Sequence, residues 1–127
     1  MTSWVNGIEA ITLFHDDLQE ARAFYEKVFG LPVVHEDPDS VVFRFGGTLV
    51  NLLDRRAAGD LVAPGLAGAR PDGYRAQLTL GVEDVDEVCR ILSERGVVLL
   101  NGPLDRPWGV RTASFEDPAG HLWEIAH

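Results

Sequence analysis

One carboxylate, Glu124, stands inside the closing apolar stretch "HLWEIA", between Leu122, Trp123, Ile125 and Ala126. An ionised acid in an apolar strand is costly to bury unpaired, so Glu124 is expected to face a cavity. Side chains alternate along a strand, which groups Glu124 with Leu122 and Ala126 and sets it against His121, Trp123, Ile125 and His127. Two amides hold comparable places, Gln77 at the head of "QLTLG" and Asn51 within "TLVNLL". A carboxylate and two amides on polar strand faces suit the anchoring of a small ligand. Proton abstraction next to a carbonyl, with Glu124 as general base, is the second possibility. No Gly-rich phosphate loop, Ser-His-Asp order or paired-cysteine motif offers other chemistry, and "FGG" at Phe45 to Gly47 reads as a strand turn.

The elements that must position these residues occur twice. "AITLFHDDLQEA" laid over "QLTLGVEDVDEV" puts Thr12 on Thr79, Leu13 on Leu80, Asp17 on Asp84 and Glu20 on Glu87, an offset of 67 residues. In both copies an Asp precedes a helix with a Glu three residues on, the capping-box spacing that satisfies orphan backbone N–H groups. Apolar stripes at Leu18, Ala21, Phe24 and Val28, and at Val85, Val88 and Leu92, follow a helical period. Gly30 and Gly96 supply left-handed stops. The strand-like stretches "LPVVHE", "SVVFRF" and "TLVNLL" follow the first helix, and "VVLL", "VRTASFE" and "HLWEIA" follow the second. "GGTLVNLL" laid over "AGHLWEIA" sets Asn51 on Glu124.

The fold class is therefore α+β: two tandem βαβββ modules, about residues 4–54 and 74–127, in one domain spanning 1–127. The Gly-, Ala- and Pro-rich segment 55–73 links them as a crossover or lid. Each helix covers the more apolar strand face, represented by Ile11/Leu13, Leu78/Leu80 and Trp123/Ile125. The opposite faces, bearing Gln77 and Glu124, then line a concave cleft in a half-barrel mixed sheet. The duplication makes Ala10 equivalent to Gln77 and Asn51 equivalent to Glu124.

The paired modules, "ITLFHDDLQEARAFYEKVFGL" and the closing "DPAGHLWEI" resemble the vicinal oxygen chelate superfamily over nearly the whole chain. That superfamily holds glyoxalase I, extradiol dioxygenases, fosfomycin-resistance enzymes and bleomycin-resistance proteins. The resemblance implies the glyoxalase/bleomycin resistance fold, a homodimer that completes the cleft, and metal ligands at the cleft-facing positions in the enzymes of the group. Those positions hold Ala10, Asn51, Gln77 and Glu124 here. Glu124 matches the usual terminal carboxylate and Gln77 a position where His or Gln is normal. Ala10 has no donor atom, and Asn51 replaces an expected Glu or His. One carboxylate and two amides are a feeble set for a divalent ion. No cofactor is expected, or at most a weakly held divalent metal on Gln77 and Glu124. The histidines do not rescue the set. His15 and His121 have the wrong parity to join Glu124, His127 lies at the terminus and His35 at the end of a strand, so all four read as surface or helix-facing residues.

"RPWGVR" resembles a segment that borders the pocket in glyoxalase-like members. Trp108 either stacks on a flat ligand or closes the barrel end; Arg111 pairs either with a ligand carboxylate or with a local acid. Phe14 shares the face of Ala10 and offers an apolar wall, Arg44 reaches the cavity mouth or solvent, and Cys89 reads as a small buried hydrophobe. A net charge of −9 argues against a nucleic-acid partner and is compatible with a cationic ligand. One cysteine and no membrane-length apolar run lead to the expectation of a cytoplasmic protein with no membrane partner. The expected function is the binding of an apolar or aromatic small molecule in the cleft. The alternative is a lyase, isomerase or dioxygenase-type enzyme using Glu124 as general base or metal ligand.

Overall fold

The computed structural model describes residues 3–69 and 72–127. Strand β1 (Ala10–His15) leads into helix α1 (Leu18–Phe29), followed by β2 (Val33–Asp37), β3 (Ser40–Phe45) and β4 (Thr48–Asp54). A 3-10 turn at Arg55–Ala57 and a single helical turn, α2 (Gly59–Val62), begin the linker. The second module runs β5 (Gln77–Gly81), α3 (Val85–Glu94), β6 (Asn101–Asp105), β7 (Arg111–Glu116) and β8 (Leu122–Ala126). The strands form two four-stranded sheets of the same order, β1-β4-β3-β2 and β5-β8-β7-β6. In each, the first strand pairs parallel with the last and the remaining pairs are antiparallel. Among the described residues, no helix is long and apolar enough to cross a membrane.

Both helices start as their spacing predicts. Asp17 accepts a hydrogen bond from the backbone N–H of Glu20 at 3.0 Å, and Asp84 from that of Glu87 at 3.1 Å. At the far end of α1, Gly30 takes the left-handed conformation (φ 66°) and its N–H closes on Glu26. Arg95, at the end of α3, reaches across the molecule and donates to the Val28 carbonyl at 2.8 Å, satisfying one of the orphan acceptors of α1.

The stripes hold at Leu18, Ala21 and Val28 and at Val85 and Leu92, and one position in each moves by a residue. Tyr25 is wholly buried and Phe24 half-buried; Cys89 is buried and Val88 half-buried. The strand expected at "VVLL" lies later, at Asn101–Asp105. Val97 and Leu99 turn toward the core while Val98 and Leu100 face solvent, and regular pairing starts only at Asn101 opposite Ser114. A bulge follows at Gly102 (φ 86°), where a side chain would meet the Thr112 carbonyl oxygen at 2.5 Å. Only glycine tolerates that approach.

One core serves both modules. The helix-facing residues Val41, Phe43, Val50 and Leu52 of the first sheet join Ala113, Phe115, Trp123 and Ile125 of the second. Aromatic rings weld the junction: Phe45 stacks on Trp123 at 5.2 Å, Phe29 lies 5.0 Å from Trp123, and Tyr25 meets Trp123 edge-on at 6.1 Å. Such pairs contribute about 0.5–1.5 kcal/mol each beyond the area they bury. The modules thus meet on their helical sides, and the sheet faces that carry Glu124 and Asn51 turn away from the shared core.

Candidate functional site

Strand register explains why the duplicated residues lie where they do. Thr12 sits opposite Asn51 in the β1–β4 pair, and Thr79 sits opposite Glu124 in the β5–β8 pair. The two halves therefore repeat the same Thr-plus-polar pairing on their open faces. Ser114 flanks Glu124 from β7, while Val42 flanks Asn51 from β3.

In the second sheet the pair is joined. Thr79 donates its hydroxyl to Glu124 Oε1 at 2.9 Å, with Glu124 half-buried and Gln77 exposed two residues along the same face of β5. In the first sheet Asn51 Oδ1 is buried without a hydrogen-bond partner. Ala10 and Thr12 are exposed on that face, and Phe14 is half-buried. The positions equivalent by duplication lie in separate sheets of one chain. Gln77 and Glu124 are brought together by register; Ala10 and Asn51 stand on the other sheet.

The "RPWGVR" residues fall elsewhere. Arg111 shares the helix-facing parity of Ala113 and Phe115. It is held by Asp86 of α3 at 2.9 Å and by Asp105 at 3.1 Å, the local-acid alternative. These hydrogen-bonded acids raise its pKa above the ordinary arginine range, and Arg111 in turn lowers that of Asp86. Trp108 is 71% exposed, with the Arg106 guanidinium 5.8 Å from its ring centroid. Cys89 is buried, and burial, with the nearby Asp86 charge, pushes its thiol pKa up, away from nucleophilic use.

A second polar assembly lies where the modules meet. Asp117 opens the turn before β8 and is buried. Its Oδ1 accepts the backbone N–H groups of Ala119 (3.0 Å) and His121 (2.9 Å). Its Oδ2 accepts the Tyr25 hydroxyl at 2.7 Å and lies 2.8 Å from His121 Nδ1. Trp123 Nε1 donates to the Tyr25 oxygen at 3.1 Å. His15, the last residue of β1, is 2% exposed, its ring 4.9 Å from that of His121. Its Nε2 stops 3.6 Å from Asp117 Oδ2 and has no hydrogen-bond partner.

Burial lowers the His15 pKa to about 4, against the opposing pull of Asp117, so this imidazole is neutral at physiological pH. Burial pushes the Asp117 carboxyl up, but the hydrogen bond from His121, the two imidazoles and the Tyr25 hydroxyl outweigh it and hold the pKa below the usual carboxylate range. Burial and the Asp117 charge drive the Tyr25 phenol well above its ordinary value.

Parity correctly kept His15 and His121 off the face of Glu124. It did not test whether the two histidines meet each other, nor did it single out Tyr25 or Asp117. The signal available was the turn "DPAGH", whose Asp and His stand four residues apart.

Two pockets flank His121. One of about 270 Å³ is lined by Thr12, Phe14, Asp16, Arg55, the linker residues Gly68 and Ala69, and His121, among others. The other, of about 260 Å³, is mostly apolar, with Ile11, Leu13, Leu78 and Leu122 in its walls. Of the residues singled out in the sequence, Phe14 lines the first; Asn51, Gln77 and Glu124 line neither. The linker thus borders a cavity at the module junction, while Arg70 and Pro71, also in the linker, lie outside the described residues.

A family model described as the Glyoxalase/Bleomycin resistance protein/Dioxygenase superfamily matches residues 7–125. The chain is 33% identical over 121 residues to the uncharacterized protein YraH of Bacillus subtilis (strain 168), covering 91% of this chain and 93% of that protein. Its fold matches that of a glyoxalase/bleomycin resistance protein/dioxygenase from Nocardioides with a TM-score of 0.86 and 25% identity, over 98% of this chain and 85% of that one. Lactoylglutathione lyase from Agrobacterium tumefaciens matches with a TM-score of 0.77 and 26% identity, over 96% of this chain and 93% of that one.

Proposed function

The chain belongs to the glyoxalase/bleomycin resistance protein/dioxygenase superfamily, and on that premise we propose that it is a small-molecule-binding protein whose ligand lies on the open sheet faces, anchored by Glu124, Gln77 and Asn51. The observation that carries this reading is the pair of repeated strand positions. Glu124, steadied by Thr79, and Asn51, whose Oδ1 is buried without a partner, both belong to faces turned away from the core. A polar atom that folding leaves unsatisfied calls for a partner, which a bound molecule would supply once the Asn51 amide turns outward. Phe14 supplies an apolar wall beside the linker. Trp108, exposed at the β6–β7 turn, is free to stack on a flat ligand carried there by a second copy. Two chains pairing through their open faces would enclose the ligand; light scattering that finds only monomers would remove that part of the reading.

The divalent metal of the enzymes in this superfamily does not fit these positions tightly. Ala10 presents only a methyl group, and Asn51 and Gln77 offer neutral amide oxygens beside the single carboxylate of Glu124.

The test is a thermal-shift and calorimetric screen of aromatic and cationic small molecules against wild type and Glu124→Ala. A ligand bound by wild type and weakened at least about tenfold by the substitution is the expected result, since a charged hydrogen-bonding anchor contributes about 1.5–3 kcal/mol. Ligands that bind both forms equally would overturn the assignment.

A second reading follows from Glu124 itself. Among the described residues its hydrogen-bond partner is Thr79, which occupies Oε1, and Oε2 is left to take a substrate proton as general base. Turnover of an α-keto hemithioacetal or a catechol, abolished in Glu124→Gln, would establish the enzyme.

A further inference from the structure

We propose that His15, Asp117 and His121 form a transition-metal site at the junction of the two modules, on the helical side of the sheets and separate from the face that carries Glu124. Their ligand atoms lie within 4.8 Å of one another. Two imidazoles and one carboxylate are the donor set of Zn(II), Ni(II), Co(II) and Fe(II), whereas Mg(II) and Ca(II) prefer oxygen ligands throughout.

The independent sign of a ligand is His15. Its Nε2 is buried, unpartnered and directed at Asp117 Oδ2 from 3.6 Å, too far for a hydrogen bond. A buried polar atom left unsatisfied bears its desolvation cost with no hydrogen bond in return. An ion seated between the three side chains would give Nε2 its partner and would replace the hydrogen bond between His121 Nδ1 and Asp117 Oδ2.

The surroundings are those of a held ligand set. Tyr25 donates to the Asp117 carboxylate and is itself fixed by Trp123, while the Ala119 and His121 N–H groups fix the other oxygen. Outer-shell hydrogen bonds of this kind orient a metal-binding carboxylate. His121 is the most exposed of the three, with its side chain 27% exposed, so closing the donors to metal-bond distances falls chiefly to its ring. Access exists on two sides. His121 lines the pocket of about 270 Å³ that also holds Phe14 and Arg55. His15 lines a second of about 190 Å³ whose mouth carries Asp16, Asp17 and Glu20, a negative funnel for a cation. Three protein ligands with a cavity alongside leave a coordination position for water or for a small anionic ligand.

The experiment is calorimetric titration of tag-free, chelator-treated full-length protein with zinc, nickel, cobalt and magnesium chlorides, with cobalt(II) ligand-field absorption as a second readout. One equivalent of zinc or cobalt should bind, magnesium should not, and the cobalt spectrum should show nitrogen ligation. His121→Gln and His15→Leu should each weaken binding at least about tenfold, while Glu124→Gln leaves it unchanged. Zinc should raise the melting temperature of wild type and not that of His121→Gln, whose partly exposed position keeps it foldable. Absence of stoichiometric zinc and cobalt binding, binding that survives His121→Gln, or binding that depends on Glu124 instead, would each overturn the proposal. Because the Glu124 variants also test the ligand on the sheet faces, failure of one site is read apart from failure of the other.

Discussion

The two modules repeat one plan on their open faces and part on their helical side, where the differences converge. On the open faces, Thr12 with Asn51 mirrors Thr79 with Glu124, register for register. On the helical side the symmetry breaks. By the offset that sets Thr12 on Thr79, the counterpart of His15 is Val82; by the offset that sets Asn51 on Glu124, the counterparts of Asp117 and His121 are Arg44 and Thr48. None of the three has an imidazole or a carboxylate as its counterpart in the other module, and the three meet at the junction. A duplicated fold supplies symmetric positions cheaply, and chemistry that needs three different donors must draw on what each half acquired by itself.

The largest expected effect of breaking the asymmetric assembly comes from Asp117→Ala. It strips the acceptor from the Tyr25 hydroxyl, from His121 and from two backbone N–H groups in a buried setting. Removing one partner of a buried charged network costs about 3–5 kcal/mol, to be measured by urea denaturation. Arg44→Ala, at the equivalent but exposed position of the first module, should stay within about 0.5 kcal/mol. Equal losses at the two positions would mean that the junction is no more critical than the surface.

Next in size is a pH effect. His15 has its folded pKa lowered from 6.5 to about 4, so below pH 6.5 the unfolded chain binds a proton that the folded chain refuses. Stability therefore falls as pH drops from 6.5 toward 4 and is recovered above that window. The loss is about 2–3 kcal/mol per protein at pH 4.5 relative to pH 7.5. Asp117 and His121 face the ring and Asp16 lies nearby; the lowered Asp117 pKa adds its own loss only at still more acid pH. His15→Leu should flatten the slope between pH 6.5 and 4.5 in metal-free protein, and an unchanged slope would assign it to other groups. Tyr25→Phe is the milder disturbance of the same assembly. Asp117 keeps three donors while Trp123 Nε1 loses its acceptor, so about 1–2 kcal/mol is expected.

How much of this was legible beforehand follows from the same division. The self-alignment carried the architecture because a duplication states each element twice: the Asp caps, the strand faces of Leu78, Leu80, Trp123 and Ile125, and the Thr–Glu register all lie where the repeat puts them. The misses are a one-residue choice in each helix, a displaced strand and contacts between halves. Phe24 and Tyr25 both fit the apolar stripe of α1, and what selects Tyr25 for the interior is a hydrogen bond to Asp117, 92 residues away. "VVLL" has a strand's composition, but the bulge at Gly102 sets where pairing starts. The meeting of His15 and His121 depends on how the modules pack, and periodicity within either module says nothing about it. Among the residues singled out, Arg111 was ambiguous because the chain is rich in acids; Asp105 holds it from six residues away and Asp86 from α3, 25 residues away.

The symmetric pair gives the smallest and sharpest test. Asn51 Oδ1 is buried and unsatisfied, so folding bears its desolvation cost with no hydrogen bond to that oxygen in return. Asn51→Leu should leave stability unchanged or raise it by up to about 1 kcal/mol. Glu124→Leu loses the Thr79 hydrogen bond and should cost no more than about 1 kcal/mol. A polar side chain that a protein folds as well without is present for something other than folding. If both leucine variants keep their melting temperatures and lose a ligand that wild type binds, the open faces are the binding surface. If Asn51→Leu instead costs 2 kcal/mol or more on the scale of a lost buried hydrogen bond, the amide serves the fold, and the correspondence between Asn51 and Glu124 is one of ancestry alone.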